Sequence, residues 1–304
     1  MKISHLLLLL FWLSTGFPLH AFAGDAPANA SSDDGKPIII ANAKQYALSS
    51  KLNGQDYRLM VYVPPKLNLD QPQPVFYVLD GSYYFAAATD AVAVDSLAGI
   101  VVGVGYPTDD REEVQRRRTF DLSLPNASGN KKYGGADAFL NVLEKEIKPF
   151  IAARYKIDPA QQSLYGHSLG GLTVLRQLFK NPTAYSTYVA ASPSIWWNDR
   201  AVLVDEPAFS KRAKAGELHL KILITSAGDE QYHGDDKALQ AKADKGVRMI
   251  SNATELAARL SALDPADMKV TREIFPDETH VSGSIASLCR GLKFALPVMK
   301  KQAN

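Results

Sequence analysis

The 304-residue sequence contains one cysteine, Cys289. An internal disulfide is excluded, and with it a small disulfide-stapled scaffold. No Cys/His group stands at metal-ligand spacing, so neither a metal nor a cofactor is expected. A lone thiol in an apolar helical stretch reads as a buried, inert side chain. The chain also lacks an apolar run of the roughly 18 to 20 residues that a membrane span needs. Its formal charge is only +2, which argues against a strongly basic nucleic-acid binder, and no nucleic-acid partner is expected. Internal repeats are missing, and no composition break marks a second large domain.

What is present begins with a leader. Lys2, the short apolar stretch 6–13 and Ala21-Phe22-Ala23 follow the order of a secretory signal peptide: a charged start, an apolar centre and a small-residue cleavage site. Residues 1–23 are expected to be removed, which lowers the formal charge to +1 by taking away Lys2. No cysteine near the cleavage site could carry a lipid, so no stable membrane anchor is expected. Export into the periplasm is the expected destination. Residues 24–40 read as a flexible N-terminal segment that starts rich in Ala, Ser, Asp and Pro. Residues 41–304 are expected to form a single domain with enough chain for a full hydrophobic core.

Within that domain, 75–79 is a short, nearly all-apolar run that reads as a strand covered on both faces, 100–104 reads as the next buried strand, and 185–191, 218–226 and 270–275 read as further strands. Two earlier strands, 44–50 and 57–64, flank Asn53-Gly54, a hairpin turn signal. Helical spacing falls between strands at 83–97, 135–155, 172–179, 235–263 and 283–301. Pro149 is expected to kink the second of these. Residues 108–134 show little periodicity and read as a long polar loop. Strands alternating with helices predict a three-layer α/β sandwich with a mostly parallel central sheet and no large separate cap domain.

The most specific stretch is Gly166-His167-Ser168-Leu169-Gly170, which fits G-x-S-x-G. An apolar strand precedes it and an amphipathic helix follows, ended by Asn181-Pro182, as a nucleophile elbow requires. The tight turn strains the serine backbone and lifts its hydroxyl clear of the chain. Gly166 and Gly170 are expected because a β-carbon at either place would crowd the turn. This arrangement is the one expected of an α/β-hydrolase.

Serine needs a base to become a nucleophile. His280 follows the last strand, where such a fold places its base. His233, in a polar loop, is the rival. His167 is next to the serine, but neighbouring side chains at an elbow are expected to point apart. An acid must orient the base. Asp229 and Glu230 both lie just past the strand that should precede it, with Asp235, Asp236 and Asp277 as weaker choices. A Ser–His dyad without an acid is the remaining alternative. The oxyanion hole is expected from the backbone N–H of Leu169 and that of Gly81 or Ser82. Trp196 and Trp197 could wall the substrate pocket or roof the core. Arg116-Arg117-Arg118 could be a solvated run or an anion-attracting patch, with Arg118 either clamping an anionic substrate or forming an ion pair near Asp121.

Several blocks in series resemble the esterase family of α/β-hydrolases that includes the ferric enterobactin and salmochelin esterases. They include Val78-Leu79-Asp80-Gly81, Arg118-Thr119-Phe120-Asp121, Gly134-Gly135-Ala136-Asp137, Tyr165-Gly166-His167-Ser168-Leu169-Gly170-Gly171 and Ala191-Ser192-Pro193-Ser194-Ile195-Trp196-Trp197. The resemblance implies a serine esterase acting on a small-molecule ester, a ferric or free catecholate trilactone siderophore, in periplasmic iron release. It also implies that the segment near Arg118 borders the pocket. The chain departs from the family at Gln231, where relatives often carry a glutamate. A general carboxylesterase acting on feruloyl or acetyl esters, and a non-catalytic binding protein on a hydrolase fold, are the competing readings.

Overall fold

The computed structural model describes residues 38–232, 237–238, 241, 245–263 and 266–299, and eight of its strands hydrogen-bond into one sheet. The strands are β1 (Ala43–Ser49), β2 (Asp56–Tyr62), β3 (Gln73–Leu79), β4 (Ile100–Gly105), β5 (Ile157–His167), β6 (Thr187–Ala191), β7 (Leu220–Ala227) and β8 (Met268–Phe275). Their spatial order is β1-β2-β4-β3-β5-β6-β7-β8. The first two pairings, β1 with β2 and β2 with β4, are antiparallel, and the rest are parallel. The β1–β2 hairpin turns where Asn53-Gly54 predicts it, with Gly54 at φ 69°, a conformation that favours glycine.

The helices are α1 (Gly81–Val94), α2 (Arg111–Asp121), α3 (Ala136–Val142), α4 (Lys148–Ala152), α5 (Leu169–Lys180), α6 (Glu206–Lys214), α7 (Met249–Ser261) and α8 (Ser282–Ala295). Strand side chains alternate between two cores, as a pleated sheet requires. Val75, Tyr77 and Leu79 of β3 join the core shared with Phe139, Leu143, Leu172 and Leu256. Phe76 and Val78 join the other, with Phe85 and Val92 of α1 and Leu288 and Leu292 of α8. Complete burial of each such side chain is worth ~1.5–3 kcal/mol. From Ile40 onward the chain forms one compact unit, and its described residues include no separate cap. None of the described helices is long and apolar enough to cross a membrane.

Two expectations need correction. The stretch 108–134 is not all loop, because α2 occupies Arg111–Asp121. Asp110 caps it, its Oδ1 accepting from Glu112 N at 2.9 Å. The buried face of α2 is Val114, Arg118 and Asp121, so two of three core-facing positions are charged and apolar periodicity is hidden. The helix expected over 135–155 is α3 and α4 joined by a wider π turn, Leu143–Ile147. Pro149 lies in the first turn of α4, where its missing N–H costs little. The leader 1–23 and most of the segment 24–40 lie outside the described residues.

The parallel strands end on one edge of the sheet, and ligands of open α/β sheets bind outside such an edge. Asp80 follows β3, Ser168 follows β5, Ser192 follows β6, Gly228 follows β7 and Pro276 follows β8.

Candidate active site

One residue, Ser168, turns the chain from β5 into α5. It takes φ 62° and ψ −115°, a strained backbone for a residue with a β-carbon. The surroundings hold it there. Its N–H donates to Ala191 O at 3.0 Å, and its carbonyl accepts from Leu172 N at 2.9 Å and Ser194 N at 3.1 Å. A β-carbon on Gly166 would stand 2.4 Å from the carbonyl carbon and oxygen of Gly170, so that glycine is required. Gly170 departs from expectation. A β-carbon there would meet nothing closer than Asp80 Oδ2 at 3.5 Å, an ordinary contact. It is Gly171 whose β-carbon would strike backbone, 2.7 Å from Ala191 O.

His280, in the loop after β8, places Nε2 3.0 Å from Ser168 Oγ. Its Nδ1 lies 2.5 Å from Glu230 Oε1. The Glu230 side chain is 1% exposed, and its Oε2 accepts from Ala227 N at 3.0 Å. A nucleophile, an imidazole and a buried carboxylate thus stand in line, the carboxylate fixing the tautomer that leaves Nε2 free to accept the serine proton. The structure chooses between the two acids. Asp229 is exposed, and it is Glu230 that hydrogen-bonds the His280 ring; the Asp229 backbone N–H donates to Glu278 O at 3.0 Å and ties the acid loop to the histidine loop. Asp277 is exposed at a turn with φ 59°. His233, Asp235 and Asp236 lie outside the described residues. Gln231 is clamped to α7, donating Nε2 to Ser251 Oγ at 2.7 Å and accepting Ser251 N at 3.0 Å.

Leu169 opens α5 and Gly81 and Ser82 open α1, on the adjacent strand ends of β5 and β3. First-turn N–H groups of a helix have no intrahelical acceptor and carry partial positive charge. These amides are therefore suited to receive an oxyanion. Gly81 is also a packing requirement, since a β-carbon there would lie 2.7 Å from Gly103 backbone.

A family model described as "Putative esterase" matches residues 49–264. The chain belongs to this esterase family. A siderophore triacetylfusarinine C esterase of Aspergillus fumigatus is 33% identical over 275 residues, covering 84% of this chain and 94% of that protein. The ferri-bacillibactin esterase BesA of Bacillus subtilis is 31% identical, covering 85% and 91%. Among solved structures, the BES protein from Bacillus cereus superposes with a TM-score of 0.77 at 30% identity, covering 87% of this chain and 98% of that one.

In the esterase the three arginines of 116–118 diverge and do not form one patch. Arg116 pairs with Glu113 at 2.6 Å. Arg117 donates to Asp56 O at 2.8 Å and lies over the Tyr106 ring, 4.6 Å from its centroid. Arg118 is buried and forms an ion pair, but with Asp80, which was not anticipated, and not with Asp121. Its Nε and a terminal nitrogen meet the two carboxylate oxygens at 2.8 Å each. Two of its three nitrogens are thereby committed, so Arg118 is not an open clamp for an anion. It instead fixes Asp80, whose αL backbone (φ 56°) sets the start of α1 and the Gly81 and Ser82 amides. Arg118→Leu leaves the fully buried Asp80 carboxylate without its counter-charge. It should destabilise the fold by ~3–5 kcal/mol, and Asp80→Asn added to it should recover part of the loss. Urea unfolding of the two variants checks this.

Trp196 and Trp197 differ in setting: Trp197 packs against the core, whereas Trp196 donates Nε1 to Met249 Sδ at 3.2 Å. Trp196 is 38% exposed, beside the Ser194 turn whose hydroxyl lies 3.5 Å from Ser168 Oγ. Trp197 is half-buried, donates Nε1 to Leu124 O at 2.9 Å and meets the Tyr133 ring edge-on at 4.7 Å. Cys289 is half-buried on α8, and burial pushes its thiol up, away from nucleophilic use.

Sequence reasoning missed His167. Its ring lies 4.5 Å from that of His280, and its Nδ1 is 3.2 Å from Tyr84 Oη. Burial, reinforced by His280 and Arg118, lowers its pKa to about 3, so a neutral imidazole backs the base. Asp121 shifts oppositely, its carboxyl raised to about 6 chiefly by burial. These shifts have opposed effects on stability. Unfolded His titrates near ~6.5 and unfolded Asp near ~3.9. Below ~6.5 the unfolded chain binds a proton at His167 that the native protein refuses, so that contribution is lost as pH falls toward 3. Asp121 binds its proton in the native state first, so its stabilisation is full below ~3.9 and is lost as pH rises through 6. Between pH 4 and 6 the two slopes offset. Asp121→Asn should make stability, relative to wild type, fall by up to ~1.4 kcal/mol per pH unit on acidification, and His167→Gln should do the reverse. Denaturant unfolding at pH 4, 5 and 6 measures both; curves parallel to wild type would contradict the assignment.

Proposed function

We propose that this protein is an exported serine esterase that opens the ester bonds of a catecholate trilactone siderophore through an acyl-enzyme and so aids iron release in the periplasm. The observation that carries the catalytic part is the alignment of Ser168 Oγ, His280 and Glu230 at 3.0 and 2.5 Å. The substrate part is supported by 31–33% identity to esterases of siderophores over 84–85% of the chain.

The reaction follows from the geometry. His280 Nε2 takes the Ser168 proton as Oγ attacks the ester carbonyl, and Glu230 stabilises the imidazolium. The amides of Leu169 and of Gly81 or Ser82 receive the developing oxyanion. The carbon–oxygen bond breaks, and His280 returns the proton to the departing alkoxide. Water then attacks the acyl carbonyl as it loses a proton to His280, the bond from that carbon to Ser168 Oγ breaks, and His280 returns the proton to Oγ as the acid leaves. Trp196 supplies an aromatic wall beside the serine for an aryl acyl group.

The test incubates the protein with iron-loaded and iron-free enterobactin and follows linear products by chromatography. Ring opening is expected. No cleavage alongside brisk turnover of simple esters would replace the siderophore reading with that of a general carboxylesterase. Export is tested by N-terminal sequencing of the periplasmic fraction, where Gly24 is the expected first residue; an uncleaved Met1 there, or an empty fraction, would contradict it.

A further inference from the structure

His167 is an imidazole that the ester chemistry leaves unused. It is 5% exposed, and its Nε2 is buried without a hydrogen-bond partner among the described residues. Native proteins rarely leave a buried polar atom in that state, so it calls for an explanation. A ring nitrogen of His167, a ring nitrogen of His280 and a carboxylate oxygen of Glu230 all lie within 4.8 Å of one another. No local spacing announces this group, because the ends of β5, β7 and β8 each deliver one member to the same sheet edge.

Two imidazoles and one carboxylate are a ligand set for zinc and its neighbours in softness. The groups behind these ligands suit that part. A metal-bound histidine usually passes its other N–H to an oxygen, which fixes the tautomer. For His167 that oxygen is Tyr84 Oη, 3.2 Å from Nδ1, which leaves Nε2 with a free lone pair. For His280, whose Nδ1 faces Glu230, it is Ser168 Oγ, 3.0 Å from Nε2. The second Glu230 oxygen accepts from Ala227 N at 3.0 Å. Two features limit the affinity. His280 Nδ1 and Glu230 Oε1 stand 2.5 Å apart, whereas two ligands of one zinc ion stand ~3.3 Å apart, so the His280 ring must shift outward. That ring lies in the loop after β8 with its side chain 42% exposed, and is the most movable of the three. The charge of Arg118 reaches His167, and Arg272 feels that of Glu230. Asp80 neutralises Arg118, which leaves one guanidinium opposing a cation.

We propose that His167, His280 and Glu230 form a site for a divalent cation of the zinc class, and that its binding switches the esterase off. The metal bonds to Nδ1 of His280, and the proton on Nδ1 moves to Nε2, so the ring stays neutral and no proton is gained or lost. The Nε2–H then faces Ser168, and nothing remains to take the serine proton. The inhibited enzyme holds the wrong tautomer of its own base. Magnesium and calcium, which prefer oxygen ligands, should not hold it there. The site does not depend on which ester is cut.

The test titrates zinc into the untagged protein in chelator-free buffer and follows p-nitrophenyl ester hydrolysis. With three ligands and an opposing guanidinium, wild type should be half-inhibited at ~1–100 μM zinc and restored by EDTA. Millimolar magnesium should leave the rate unchanged. His167→Phe keeps a ring against His280 but offers no ligand. It should need at least ~10-fold more zinc, measured against its own zinc-free rate, and His167→Gln gives the same readout if the first variant does not fold. His219→Asn removes an exposed histidine just before β7, paired with Asp267 at 3.2 Å, and should stay within ~2-fold of wild type. Binding is read apart from activity by calorimetry on Ser168→Ala, which keeps all three ligands. It should take up one zinc ion per chain, at least ~10-fold more weakly once His167→Phe is added. Equal zinc sensitivity in wild type and the His167 variants, or no zinc bound by Ser168→Ala, would overturn the proposal.

Discussion

Ser168→Ala should lower kcat for an ester substrate by ~10⁵- to 10⁶-fold, with little change in substrate affinity or in folding. The hydroxyl makes no contact that holds the fold. Its hydrogen-bond partners are His280 at 3.0 Å and the Ser194 hydroxyl at 3.5 Å, whereas the strained turn is fixed by backbone bonds that alanine keeps. What remains in the variant is an intact oxyanion pocket and an intact base, which in comparable triads still act ~10³- to 10⁴-fold above water. Steady-state kinetics on a p-nitrophenyl ester, with circular dichroism to confirm folding, measures the drop. Undiminished turnover would mean that another group is the nucleophile.

Glu230→Gln should cost ~10⁴-fold in kcat, as an amide replacing a triad carboxylate does elsewhere. The reason is the tautomer. Glu230 Oε1 accepts a hydrogen bond from the Nδ1–H of His280, which leaves Nε2 unprotonated toward Ser168. A glutamine can present its NH₂ instead, which favours the proton on Nε2 and removes the base. Its volume is unchanged, so the 1%-exposed site should remain packed. Asp229→Asn, one residue away and exposed, should stay within ~3-fold of wild type, since surface changes away from a network matter little. The pair distinguishes a triad from a Ser–His dyad. A loss under tenfold in Glu230→Gln would favour the dyad.

Much of this architecture can be read from residues alone. Local signals carry it: the all-apolar runs that became β3 and β4, the Asn53-Gly54 hairpin, and the glycine-flanked serine between a strand and a helix. The features that escape are those set by partners distant in sequence or by buried charge. Glu230 and Asp229 are adjacent carboxylates in one short turn, and only the direction of the side chain toward a histidine 50 residues on separates them. Arg118 finds Asp80 across 38 residues, with nothing local to announce it. α2 hides because its core face is an ion-paired arginine and a protonatable aspartate beside one valine. His167 is expected to point away from its neighbour Ser168, yet both meet His280, the ring of His167 at 4.5 Å and the Ser168 hydroxyl at 3.0 Å, because the base arrives from 112 residues further along the chain.

The covalent intermediate is the most direct test. The protein, mixed with enterobactin, is quenched in acid within the first turnovers, digested and mapped by mass spectrometry. An acyl adduct on the peptide bearing Ser168, absent from Ser168→Ala and prolonged where deacylation is slowed, is the predicted result. Linear product forming at full rate with no adduct on that peptide, or with the adduct on a different side chain, would contradict the mechanism.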